Sequence, residues 1–125
     1  SDLGFFCFYK KTSSTATIPY VMFGHIGNDH IHLNYLPKNK AQVIKAKESY
    51  ALLAKKAVEL GGTISAEHGV GKKTITDGSG NTTPYLELLY GKKGLKIISD
   101  IKALFDPNLI LNIGNMIPTQ TACIK

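Results

Sequence analysis

Residues 18–36 read IPYVMFGHIGNDHIHLNYL. Ile18 to Ile26 and Asp29 to Leu36 are runs of strand length, rich in β-branched and aromatic side chains, and Pro37 closes the second. With Asn28-Asp29 as a two-residue hairpin turn, Gly27 pairs with His30, Ile26 with Ile31 and His25 with His32. Directly opposed residues share a face with Cβ atoms about 5 Å apart, which is chelating distance for two imidazoles. The period of two also places His30, His32 and Asn34 on that face and Ile31, Leu33 and Tyr35 on the other. The pattern thus predicts a polar face carrying three of the four histidines of the chain, and an apolar face that meets helices. Such a polar face serves a metal, a ligand or solvent. For His30, beside the turn, exposure alone is the bland alternative.

Working outward, Leu3 to Tyr9 is an apolar run that reads as a further strand, and Lys10 to Thr17 reads as a Ser/Thr-rich connection. Downstream, Asn39 is a helix N-cap with Gln42 placed to complete a capping box. Val43, Tyr50 and Ala57, with Ile44, Ala51 and Val58, recur every seven residues and predict one apolar stripe, with Lys40, Lys47 and Lys55 off it. Gly61-Gly62 stops that helix. Thr63 to Ala66 reads as a short strand, Lys73 to Thr83 as a loop, and Thr83-Pro84 as the N-cap and first residue of a second helical region. Gly91 and Gly94 divide that region. Ile97, Ile98, Ile101, Leu104 and Phe105 form its stripe, and Asp106-Pro107 ends it. Strands followed by helix, strand and helix predict an α+β fold: an antiparallel sheet covered by helices on one face, thin enough to be part of a larger sheet.

At 125 residues, 43% hydrophobic and 19% charged, the chain has the composition of a single globular domain, not of a disordered or fibrous protein. No apolar run reaches the roughly 20 residues that span a bilayer, and no secretory signal pattern is present. The chain opens Ser1-Asp2-Leu3 without a Met, so a piece of a longer protein is expected. Net charge is +6, and all 15 basic residues are lysines. Without arginine's planar fork, a specific nucleic-acid site is not expected. A lysine-rich polyanion binder is the rival, and it would show steep salt dependence. Cys7 and Cys123 have no ligand spacing and read as reduced, buried thiols.

Chemistry is concentrated at two places. Beside the histidine hairpin, Ala66-Glu67-His68-Gly69-Val70-Gly71 adds a carboxylate and the fourth imidazole. Adjacent residues on a strand point to opposite sides, so both serve one site only where the backbone turns, which Gly69 and Gly71 permit. Two histidines and one glutamate suit a catalytic divalent metal such as zinc, with the remaining histidine left for proton transfer. A surface carboxylate is the bland alternative for Glu67. Lys72 could hold a substrate carboxylate or simply be solvated. Tyr35 and Tyr50 read as core aromatics, and Asn112 to Asn115 as a turn.

These residues resemble a known pattern. GHIGNDHIHLN (residues 24–34) is similar to the GHxGDGNxHxN segment of FAD-linked oxidases, and GGTISAEHGVG (61–71) to their GGxxSxEHGxG segment. ALFDPNLILNIG (103–114) is similar to their closing ALDPxGILNPG. The family includes D-lactate, D-2-hydroxyglutarate and glycolate dehydrogenases, in which a flavin-binding domain precedes a C-terminal cap domain. The resemblance implies that His25, His32 and Glu67 bind a divalent metal, that His68 is the base taking the hydroxyl proton while hydride passes to flavin, and that Asn34 contacts substrate or metal-bound oxygens. Lys72 is the further candidate for the substrate carboxylate. The chain departs from the pattern at Gly27-Asn28-Asp29-His30, which stands for GDGN and adds a histidine, at Ile113, which stands for proline, and at Asn115, where lysine is common.

Residues 1–125 are therefore expected to be a C-terminal fragment of the cap domain, with the flavin-binding domain absent and the fragment inactive alone. The implied enzyme is an FAD-dependent dehydrogenase oxidising a 2-hydroxy acid to the 2-oxo acid, with FAD held mainly by the missing domain and zinc as the divalent metal. Its expected partners are that substrate and its own upstream flavin domain, without nucleic acid or a transmembrane segment. An unpaired sheet edge would also let two copies form a homodimer. The expected location is cytoplasmic, with peripheral membrane attachment the alternative for the full-length protein. A stand-alone divalent-metal-binding module without redox activity is the second functional reading.

Overall fold

Two short hairpins, each packed with its own helices, organise the chain. The computed structural model describes residues 2–28, 30–76 and 79–118, and these divide into two compact units after Gly62. The class is α+β: helices at Asp2–Thr15 (α1), Lys40–Glu59 (α2) and Tyr85–Phe105 (α3), with antiparallel pairs Tyr20–His25 (β1) with His30–Tyr35 (β2), and Thr74–Thr76 (β3) with Thr82–Pro84 (β4).

The first unit differs from the sequence reading at its start, where Leu3 to Tyr9 is helical rather than extended. A continuous apolar run carries no period to separate strand from helix, and here the four-residue spacing decides. Phe5 and Tyr9 meet edge to face at 5.4 Å between ring centroids. Tyr9, Ser13 and Ala16 continue the same buried stripe. Ser13, fully buried, donates its hydroxyl to the Tyr9 carbonyl at 2.8 Å, so the Ser/Thr tract is the last turns of α1 and not a connection. Cys7 is exposed, contrary to the buried thiol expected, because it faces away from that stripe. Cys123 lies outside the described residues.

The β1–β2 hairpin pairs Tyr20 with Tyr35 and runs to His25 opposite His30. The sequence-derived turn is therefore corrected. A 3₁₀ turn over Ile26–Asn28 lengthens the connection, and His25 faces His30 rather than His32. The register is displaced by two residues, an even number, so the side chains that pair between β1 and β2 keep their predicted faces. Leu33 and Tyr35 are buried with Tyr9 of α1, Ala16 just after it, and Ala46 and Leu53 of α2. A fully buried side chain of the Leu class contributes about 1.5–3 kcal/mol here. The Tyr35 hydroxyl lies 2.5 Å from Ser49 Oγ, and Tyr50 donates to the Leu33 carbonyl. Both tyrosines are thus core residues that tie α2 to β2.

Helix α2 has the expected caps. Asn39 Oδ1 accepts from the Gln42 amide at 2.9 Å, and Gln42 Oε1 accepts from the Lys38 amide at 2.7 Å. At the other end the Gly62 amide donates to Ala57 O and the Gly61 amide to Val58 O, the Schellman pattern, with Gly61 at φ 79°. The stripe is rotated from the one read off the sequence. Ala46, Ser49, Leu53 and Ala54 join the expected Ala51 as buried residues and Tyr50 packs against the core, whereas Val43 and Ile44 are exposed. Small residues on the inner face let α2 approach α1 closely.

In the second unit Thr63 to Ala66 does not form a strand. Thr63 Oγ1 accepts from the Ser65 amide and lies 2.9 Å from Ser65 Oγ, giving the backbone a local alternative. The segment read as a loop holds β3 and β4, three residues each and too short to announce themselves. Pro84 ends β4 in extended geometry, so α3 begins at Tyr85. Gly91 (φ 68°, ψ 177°) kinks α3 as expected, but Gly94 stays helical. That reversal resets the helix phase. Leu86, Leu95 and Ser99 are buried, with Val70 and Ile117 in the same core, while Leu104 (81% exposed) and Phe105 (83%) are not.

Asp106 closes this unit. Its buried carboxylate accepts from the Ile110 and Leu111 amides and from Lys102 Nζ at 2.7 Å. The Lys102 hydrogen bond first, then the two amides, outweigh the cost of burial and hold its carboxyl below the ordinary 3.8. A folded-state value below the unfolded one means that the unfolded chain binds more protons in between. The contribution to stability is therefore complete above the ordinary value and is lost as pH falls through the folded one. We expect thermal melts below about pH 4 to show this loss, and Asp106→Asn to flatten the acid slope. A variant with the wild-type slope would refute the assignment.

Candidate functional site

The polar face of the first hairpin collects imidazoles because strand alternation sends His25, His30 and His32 to the side away from the core. Ring centroids are 5.5 Å apart for His25–His30, 5.7 Å for His25–His32 and 4.3 Å for His30–His32. One nitrogen from each ring lies within 4.8 Å of the others. Phe23 stacks on His32 at 4.9 Å between centroids, bracing the ring from β1. Asn34 shares the face and is exposed; His30 and His32 are half-buried, and His25 is exposed. Gly24 makes the pairing possible, since a Cβ there would stand 2.0 Å from the His30 carbonyl oxygen. Imidazole nitrogens at this spacing fit a borderline transition metal and not the hard, oxygen-seeking Mg²⁺ or Ca²⁺.

Glu67, His68 and Lys72 belong to the second unit. Glu67 and His68 lie on a 3₁₀ turn, Ala66–His68, entered at φ 47° by Ala66 and left at φ 69° by Gly69. The backbone does turn where the sequence requires it, and adjacent side chains meet: Glu67 Oε1 is 3.1 Å from His68 Nε2. Both are more than half or half exposed, at 50% and 64%. A carboxylate accepting from one ring nitrogen orients the imidazole and selects its tautomer. Lys72 is exposed and lines a shallow depression with Thr74, Pro84 and Met116.

The structure therefore brings His25, His32 and Asn34 together on one face, and Glu67 with His68 on one turn. Sequence reasoning left His30 without a role and passed over Phe23. The period of two already carried both onto the histidine face; the unexpected register is what sets His30 opposite His25.

The family described as FAD linked oxidases, C-terminal domain, matches residues 7–116. The chain belongs to this family. Among curated proteins it is 38% identical over 96 residues to the glycolate oxidase subunit GlcD of Bacillus subtilis, covering 75% of this chain and 19% of that protein. It is 31% identical over 116 residues to a D-lactate dehydrogenase of Anaerostipes hadrus, covering 90% and 22%. It is 33% identical over 108 residues to a D-2-hydroxyglutarate dehydrogenase of Xanthomonas citri, covering 82% and 21%. The chain thus spans about a fifth of the length of these relatives. No solved structure matches it. Every candidate residue from His25 to Lys72 falls inside the stretch matched by the FAD-linked oxidase C-terminal domain, as does the Asp106 turn. No helix among the described residues is long and apolar enough to cross a membrane.

Proposed function

We propose that the intact polypeptide is an FAD-dependent dehydrogenase oxidising a 2-hydroxy acid of the D-lactate or glycolate kind to the 2-oxo acid. In this reading residues 1–125 are the C-terminal part of its cap domain, inactive alone, and a flavin domain lies upstream. Family membership and the names of the relatives support the reaction class. The observation that carries the site is the face of three imidazoles with nitrogens within 4.8 Å of one another. A cytoplasmic location and pairing of two copies through an open strand edge belong to the same proposal.

A bound divalent metal such as zinc would supply polarisation of the hydroxy-acid oxygens, and a bound flavin would supply the hydride acceptor. His25, His32 and Glu67 are the residues assigned to the metal, a nitrogen and oxygen donor set that suits zinc with an open position. Asn34 orients a substrate oxygen through its amide. Lys72 pairs with the substrate carboxylate. His68 accepts the hydroxyl proton: with Nε2–H held by Glu67 at 3.1 Å, the basic lone pair sits on Nδ1. A carboxylate has two oxygens, so orienting this ring does not use up Glu67 as a ligand.

The test is anaerobic mixing of the full-length protein with D-lactate and with glycolate, following flavin absorbance. Bleaching by at least one acid, slowed after metal chelation, is expected. A full-length protein that purifies with metal but no flavin would instead establish a metal-binding module without redox activity.

A further inference from the structure

We propose that His30 is a third imidazole ligand, so that the β1–β2 hairpin alone presents a three-nitrogen site for a transition metal of the Zn²⁺, Co²⁺ or Ni²⁺ kind. The inference rests on the metal reading above for His25 and His32 and adds a donor that the family pattern does not contain; with Glu67 also bound the protein donors number four, and the open position is then the fifth.

The geometry is specific to this register. His30 stands directly across the strands from His25 and two positions before His32, so all three are neighbours on one hairpin face. The His30 ring is the middle member of the group, 4.3 Å from His32 and 5.5 Å from His25 between centroids. It is half-buried, whereas a residue merely stranded beside a turn is solvated. Two nitrogens on one tetrahedral zinc lie about 3.4 Å apart. The three ring nitrogens already lie within a 4.8 Å envelope, and rotation about χ1 and χ2 is the movement that would bring them to that spacing. Phe23 against His32 limits the rotamers to be frozen on binding. Imidazole donors also set the class of ion, favouring zinc, nickel and cobalt over magnesium.

Titration of the full chain with Co²⁺, read by its d–d absorption, and with Zn²⁺ by calorimetry tests this in wild type, His30→Asn, His30→Gln, His32→Ala and Glu67→Gln. One equivalent should bind to wild type, unaffected by millimolar Mg²⁺. Losing an outer-shell partner alone costs about 10–100-fold in metal affinity, so both His30 variants should weaken binding by at least about tenfold and change the cobalt spectrum. Glu67→Gln should cost less than His30→Asn. If both His30 variants titrate like wild type while His32→Ala loses the metal, His30 is not a ligand and the proposed function stands without it. If wild type binds neither ion, the metal reading and this inference fall together.

Discussion

In the full-length protein, His68→Ala should lower kcat for the hydroxy acid by about 10²- to 10⁴-fold, the range for loss of a positioned general base. The Michaelis constant should change little, because the role proposed for His68 is on the hydroxyl proton in the transition state and the proposed partner of the substrate carboxylate is Lys72. Glu67 keeps the His68 ring in one tautomer through the 3.1 Å contact with Nε2. Added imidazole should therefore restore part of the turnover of His68→Ala, since the base is missing but the space it occupied is open. The turn is half exposed and lies outside both buried clusters, so the variant should melt like wild type. Turnover within about threefold of wild type would remove His68 from the reaction.

Gly24→Ala should be the most disruptive single methyl in the first unit. The added Cβ would sit 2.0 Å from the His30 carbonyl oxygen, a backbone atom that cannot swing aside. Overpacking against side chains costs about 1–3 kcal/mol, and a clash with backbone belongs at or above the top of that range. For a unit of this size such a loss lowers the melting temperature by more than about 10 °C. The strands must part where His25 faces His30, so metal binding should fall at temperatures where α2, with its own caps, is still folded. Circular dichroism and Zn²⁺ calorimetry on the same sample separate the two effects. A variant that melts and binds like wild type would show that the hairpin accommodates the methyl.

Legibility varied with how local the signal was. Asn39, Gln42 and Gly61-Gly62 mark both ends of α2 because caps are made by neighbours in sequence. The hairpin faces were legible for the same reason, since alternation belongs to the strand itself. The register was not, because a 3₁₀ turn and a two-residue turn look alike in Ile26 to Asp29. Helix α1 was missed because Leu3 to Tyr9 is apolar at every phase, and only packing of Tyr9 and Ala16 against α2 residues selects helix. Strands β3 and β4 are three residues each, below the length at which a period can be counted. The stripe of α3 lies wholly after the Gly91 kink, and of its members Ile98 packs against the second core while Ile97, Ile101, Leu104 and Phe105 are exposed, because a period marks an apolar face but not which flank of it is covered. At the candidate site, the residue types and faces were readable, whereas the neighbour of each imidazole depended on the register.

The turn over Ile26–Asn28 has a consequence for how such a hairpin drifts over generations. Adding or deleting residues there in pairs re-deals which imidazole faces which, yet leaves all three on one side and the apolar residues in the core. A single insertion on one strand does the opposite and turns the donors of that strand inward. An even-numbered step can thus exchange one pair of facing imidazoles for another with the core kept, while an odd step costs the hairpin its buried face.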